Sequence, residues 1–213
     1  ERNGLSCVGF SEIDQMAEKT YRRLFRNEEK NYGDLMKIDT KELPDFDMMI
    51  AGFPCQTFSV IGQRKGMGDR RGQIIFGLIK IMLDKNTKYF ILENVKGLTN
   101  HDRGNSLKII LNELEKAGYL VFHNVLNSID YGVPQMRERI YFVGVRKDVT
   151  SKDFIYFFPE RQRRVDVKDF LIDTKKLEFN ERKESYETFL KYLKNRYNHG
   201  RYDLDEFLKR EYL

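Results

Sequence analysis

Two apolar patterns alternate along the chain. Short runs with few polar interruptions predict strands over residues 5–10, 47–51, 88–92, 119–127 and 140–145. Between them, apolar residues recur at helical spacing. Met16, Ala17, Thr20, Tyr21, Leu24 and Phe25 mark a first helix. Residues 73–83 are apolar nearly all round, as in a helix buried against a sheet. Leu107, Ile110, Leu111 and Leu114 mark a third helix, which Gly118 is placed to end in a left-handed conformation. Asn31-Tyr32-Gly33-Asp34-Leu35 reads as a turn, and Pro44-Asp45 resets the chain before the second strand. Beyond about Asp148 the pattern weakens. Residues 154–158 are mostly aromatic, Arg161-Gln162-Arg163-Arg164 is basic, and residues 167–171 read as a short closing helix. Tyr186, Phe189, Leu190, Leu193 and Tyr197 form an amphipathic helical stripe in the tail.

Strands alternating with helices predict an α/β fold with parallel pairing, in which the carboxyl ends of the strands share one edge. In open α/β sheets that edge binds ligands. Ala51-Gly52-Phe53-Pro54-Cys55-Gln56 places Cys55 just past a strand, at the root of a loop carrying Gly62, Arg64, Lys65, Gly66, Gly68, Arg70, Arg71 and Gly72. A thiol there is positioned to attack something attached to phosphates. A lone cysteine, however, is more often a small buried apolar residue than a nucleophile. Glu93-Asn94-Val95 follows the next strand, so Glu93 reads as a neighbour of Cys55 or as a surface loop acid. Arg137 and Arg139 are two apart and share a face if extended. Two convergent guanidiniums suit a phosphate, a carboxylate or a base carbonyl; a solvated charge pair is the plainer reading. Glu12 or Asp14, between the first strand and the first helix, suits a ribose hydroxyl pair or a helix cap.

A length of 213 residues fits one ordinary domain, or one domain and part of another. Hydrophobic residues at 40% supply a core, and charged residues at 33% a wet surface. No run approaches the roughly 20 apolar residues of a membrane span, so no membrane role is expected. Cys7 and Cys55 are the only cysteines, which argues against a disulfide scaffold and for a reducing interior. His101, His123 and His199 lie far apart without metal-ligand spacing, and no metal is expected. The net charge of +5 is compatible with a polyanionic partner. No signal peptide is expected from the residues that open the sequence. It begins at Glu1, without an initiator Met and just before a strand, as though an upstream segment had been removed.

Pro54-Cys55-Gln56, Glu93-Asn94-Val95 and Gln135-x-Arg137-x-Arg139 occur in that order, each at a predicted strand end. Longer stretches go with them: residues 51–59, the loop with Gly62, Lys65-Gly66 and Asp69-x-Arg71-Gly72, and Leu126-Asn127-x-x-Asp130-Tyr131-Gly132-Val133-Pro134-Gln135. Together they resemble the cytosine-5 DNA methyltransferases, chiefly the bacterial modification enzymes, over residues 5–172. The resemblance implies a Rossmann-like S-adenosylmethionine-dependent fold, a three-layer αβα sandwich. It implies that Cys55 attacks C6 of a cytosine flipped out of double-stranded DNA. Glu93 would serve N3 of the base, Arg139 its O2, with Arg137 steadying the site and Asn94 holding the Glu93 loop. Glu12, Ile13, Asp34, Leu35, Pro54 and Ile74 resemble the contacts to S-adenosyl-L-methionine. Gln56, Ser59, Arg64, Lys65, Arg70, Arg71 and Gln135 would face DNA.

The resemblance further implies a restriction-modification setting with a cognate restriction endonuclease as a partner, in a bacterial cytoplasm at the nucleoid. Residues 1–172 would form the catalytic domain, and residues 173–213 a linker and the start of a target-recognition domain. The family's glycine-rich first motif, its first strand and most of its small domain have no counterpart here. The expectation is an internal piece of a larger enzyme that neither binds the cofactor well nor methylates DNA alone. Alternatives are a tRNA cytosine-5 methyltransferase and a non-catalytic nucleic-acid-binding piece or half of a split enzyme.

Overall fold

The computed structural model describes residues 4–26, 28–54, 74–151 and 153–170. The chain forms two compact units, residues 1–166 and 167–213. Of the second, only the 3-10 turn Val167–Phe170 is described; it occupies most of the predicted closing helix. Residue 171 and the tail stripe lie outside the described residues. In the first unit, helices α1 (Gln15–Phe25), α2 (Ile74–Asp84) and α3 (Asn105–Lys116) lie among strands β1 (Met48–Gly52), β2 (Tyr89–Val95), β3 (Tyr119–Asn127) and β4 (Glu138–Arg146).

The sheet order is β1-β2-β4-β3. β1 and β2 are parallel as expected, but β4 runs antiparallel to both β2 and β3. The cause is local. Residues 128–137, which join β3 to β4, are too few for the crossover of a dozen or more residues that a parallel return needs. β4 therefore folds straight back and inserts between β2 and β3. Its first residues lie beside the last residues of β2, with Arg139 opposite Val95 and Tyr141 opposite Glu93.

The predicted first strand is not one. Only Phe10 pairs, in an isolated bridge with Asn31. An apolar run becomes a strand only where a ladder receives its backbone groups, and among the described residues none does so for residues 5–9. Leu5 and Val8 remain exposed.

The core lies on one sheet face. Met49, Ala51, Phe90, Leu92, Ile140 and Phe142 pack with Ile75, Leu78, Ile79 and Met82 of α2 and with Ile110 and Leu114 of α3. Alternation along the strands sends Ile50, Ile91, Glu93 and Tyr141 to the other face. There the aromatic stretch contributes, with the rings of Phe154 and Tyr156 6.0 and 6.1 Å from that of Phe122. Gly118, at φ +92, ends α3 as the sequence predicts. Buried Tyr119 donates its hydroxyl to the Thr87 carbonyl at 2.7 Å, and burial pushes its phenol pKa up.

One glycine fixes the β2–β4 contact. A Cβ on Gly144 would stand 2.0 Å from Phe90 Cε1, and Phe90 is wholly buried in the core. Gly144→Ala should therefore cost about 3 kcal/mol or more, the upper range of overpacking. Urea unfolding checks this; a loss below about 1 kcal/mol would mean that the core yields where the packing says it cannot.

Candidate active site

Three segments meet where β1 and β2 end and β4 begins. On the covered face, Asn94 is 2% exposed. Its Nδ2 donates to the Phe53 carbonyl at 3.0 Å, and its Oδ1 accepts the Val95 N–H at 2.8 Å. Phe53 is buried, its ring is 6.3 Å from that of Phe142, and its N–H donates to the Glu93 carbonyl at 3.3 Å. The chain leaving β1 is thus stapled to β2 directly before Pro54 and Cys55. The predicted strand stops at residue 92, but β2 continues through Val95. Asn94 consequently holds the segment leading to Cys55 rather than a Glu93 loop.

On the other face, Glu93 and Arg139 are diagonal neighbours. Arg139 Nε lies 2.8 Å from Glu93 Oε1, and Arg139 NH1 donates to the Glu138 carbonyl at 2.8 Å. Glu93 Oε2 sits over Gly52, where a Cβ would approach it to 3.4 Å. The two side chains are 34% and 19% exposed, open to a ligand yet partly withdrawn from water. A carboxylate and a guanidinium side by side can pair with a planar group that carries a donor and acceptors on one edge. Glu138, the next residue along β4, pairs with Lys96 at 2.8 and 2.9 Å.

Arg137 does not join Arg139 in the strand. It precedes β4 and is exposed, and its side chain has no ion-pair partner among the described residues. Its backbone is nevertheless fixed. Asn127 Oδ1 accepts the N–H groups of Ile129 and Arg137 at 3.3 and 3.1 Å, and the Ser128 N–H donates to the Arg137 carbonyl at 3.1 Å. Asp130, 8% exposed, takes Arg164 Nε at 3.0 Å and anchors this loop to the basic stretch. Gln135 stands exposed on the same loop. Sequence reading missed Asn127 as a loop organiser, although an Asn opening a turn is itself a signal for such bonding.

A second group of residues lies on the segments before β1. Asp14 Oδ1 accepts the N–H groups of Met16 and Ala17 at 2.7 and 2.9 Å, which makes it the cap of α1 and holds its carboxyl below the usual pKa. Glu12 is left for other work: one of its oxygens accepts the Asp14 N–H at 2.8 Å, and a carboxylate has about four acceptor sites. Ile13 beside it is 75% exposed. Asp34 Oδ1 accepts the Met36 N–H at 3.0 Å. Leu35 packs on Gly77 of α2, where a Cβ would meet it at 2.8 Å, one helical turn from Ile74. Acceptors with unused lone pairs beside an exposed apolar side chain fit a ribose diol and a heterocycle. Cys55, Gln56, Ser59, Arg64, Lys65, Arg70 and Arg71 lie outside the described residues, as does the glycine-rich loop over residues 62–72.

Against known proteins, the profile of the C-5 cytosine-specific DNA methylases matches residues 1–212. The chain belongs to this family. It is 49% identical over 147 residues to the orphan methyltransferase M.Rho11sI of Bacillus phage rho11s, covering 68% of this chain and 29% of that protein. It is 38% identical over 178 residues to the type II methyltransferase M.HhaI of Haemophilus parahaemolyticus, covering 84% of this chain and 54% of that enzyme. Among solved structures, one described as a DNA modification methyltransferase encoded within an E. coli prophage superposes with a TM-score of 0.62 at 26% identity. It covers 79% of this chain and 48% of the other. The fold is also shared with DNMT2 of Spodoptera frugiperda, at a TM-score of 0.55 and 23% identity over 76% of this chain and 48% of the other. The chain spans about half or less of the length of these proteins. The mixed α/β unit agrees with a Rossmann-like methyltransferase fold.

At this corner, Asn94→Ala strips partners from a buried carbonyl and a backbone N–H. The expected loss is about 1–3 kcal/mol in urea unfolding, with faster hydrogen exchange at the Val95 amide. Unchanged Val95 exchange would show that the staple does not hold this corner.

Proposed function

We propose that the protein methylates carbon 5 of cytosine in double-stranded DNA, with S-adenosylmethionine as methyl donor. The observation that carries this reading is the Glu93–Arg139 pair at the sheet edge, beside a backbone that Asn94 fixes two residues before Cys55. The names of its relatives support a restriction-modification setting, in which a cognate endonuclease shares the DNA site. In such a setting the protein would work in a bacterial cytoplasm, at the nucleoid. Residues 1–172 would be catalytic, and residues 173–213 would lead into target recognition.

C5 of cytosine is too weak a nucleophile to take a methyl group unaided. The Cys55 thiolate bonds to C6, and the electron pair of the C5–C6 double bond moves toward C5. Charge delocalised onto N3 is met by Glu93, which takes up a proton from water as the base edge parts it from Arg139, donates it to N3 and recovers it when the thiolate leaves; O2 is met by the Arg139 guanidinium. For both, the base edge must replace part of the existing ion pair, so the two side chains are held in place before the substrate arrives. Arg137 steadies the loop entrance. S-adenosylmethionine supplies an electrophilic methyl group on a sulfonium; Glu12, Ile13, Asp34, Leu35, Pro54 and Ile74 would hold it. Water removes the C5 proton, and the thiolate then leaves with its electron pair. A cytosine inside a duplex is out of reach of these groups, so the nucleotide is flipped out. Gln56, Ser59, Arg64, Lys65, Arg70, Arg71 and Gln135 meet the DNA around it, largely through phosphates.

The test is transfer of a labelled methyl group by the full-length protein to duplex DNA and, in parallel, to tRNA. Labelling of DNA alone is expected, with none by Cys55→Ala. Glu93→Gln keeps the shape but loses the acid and should cut turnover by about 10²–10⁴. Turnover by Glu93→Gln within threefold of wild type would remove Glu93 from the chemistry, and label on tRNA alone would overturn the substrate.

A further inference from the structure

Among the described residues, no sheet ladder holds the segments that carry Glu12 and Asp34. Residues 10 and 31 form a single bridge, closed by the Phe10 N–H to the Lys30 carbonyl at 3.1 Å and the Tyr32 N–H to the Phe10 carbonyl at 2.8 Å. One side chain does much of the remaining joining. Asn31 Oδ1 accepts the N–H of Glu12 and the N–H of Gly33, each at 3.0 Å. Its Nδ2 donates to the Glu12 carbonyl at 2.9 Å. A primary amide offers two donors and an acceptor with two lone pairs; these bonds use both lone pairs and one donor. All three go to the backbone of Glu12 itself or of Gly33, which precedes Asp34. The turn at Gly33, with φ +68, asks for no such amide.

We propose that Asn31 is a positioning residue for the nucleoside half of the cofactor. By gripping Glu12 through both its N–H and its carbonyl, and by fixing Gly33, it sets the spacing between the Glu12 and Asp34 carboxylates. Glu12 then meets the ribose hydroxyl pair with its geometry already fixed. Such pre-ordering raises affinity because the segments lose less freedom on binding. The inference rests on the reading of Glu12 and Asp34 as cofactor contacts.

The experiment is calorimetric titration of the full-length protein with S-adenosylhomocysteine and with its 2′,3′-dideoxy analogue, which lacks the ribose hydroxyls. Asn31→Ala should weaken S-adenosylhomocysteine about tenfold and leave the dideoxy analogue within about twofold. Duplex DNA affinity should not change. Should Asn31→Ala not fold, Asn31→Asp keeps both acceptor bonds and loses the donors; it should show a smaller loss, again confined to the ligand with hydroxyls. Equal weakening of both ligands would overturn the proposal, because general loosening of the segment does the same. Glu12→Gln separates the two levels. If it weakens S-adenosylhomocysteine while Asn31→Ala does not, the cofactor reading stands and the positioning role falls. If Glu12→Gln has no effect, the assignment of Glu12 fails and the positioning role fails with it.

Discussion

The insertion of β4 between β2 and β3, running backward, is the constraint on which the site depends. Had β4 run parallel, its first residues would lie at the opposite edge, a strand length from Glu93. Because residues 128–137 are too short for a crossover, Arg139 starts its strand where β2 ends. The diagonal contact then follows from sheet geometry alone. Asn94 does the corresponding work on the other face, tying the exit from β1 to β2. Sheet pairing and one buried amide thus assemble elements separated by dozens of residues in sequence.

The two kinds of polar contact differ in weight. The Asn94 bond to the Phe53 carbonyl is buried, so its loss leaves that carbonyl without water or partner, which costs about 1–3 kcal/mol. The Glu93–Arg139 pair is partly exposed and contributes little to stability, of order 1 kcal/mol or less. Its value is geometric. A weak pair that is already aligned can be opened by a base edge at small cost, whereas a deeply buried pair cannot. The stable staple and the exchangeable pair sit on opposite faces of the same two residues of β2.

Much of this was legible in the sequence. Residues 119–127 were predicted as a strand with both ends correct, because the apolar pattern, Gly118 and the turn that follows agree. Helix α2 was legible from its all-round apolar pattern, and Glu93 and Arg139 from their strand-end positions. Strand direction was not, because periodicity carries no sign; the length of the β3–β4 connection does. Residues 5–10 read as a strand because an apolar run cannot report whether a ladder partner is present. Asn31 reads as part of a turn and Asn127 as the end of a strand, and neither reading reports which backbone groups a side chain meets. Which of Glu12 and Asp14 caps α1 needed the observed hydrogen bonds.

If Cys55 attacks a base held by Glu93 and Arg139, the covalent species can be trapped and located. The full-length protein is incubated with S-adenosylmethionine and a duplex whose target cytosine carries fluorine at C5, which blocks the last proton removal and traps the covalent species. After protease digestion, mass spectrometry locates the nucleotide on the protein. One adduct is expected, on the peptide containing Cys55, formed far more slowly by Glu93→Gln and Arg139→Ala proteins. An adduct on any other residue, or trapping at the wild-type rate by both variants, would contradict it.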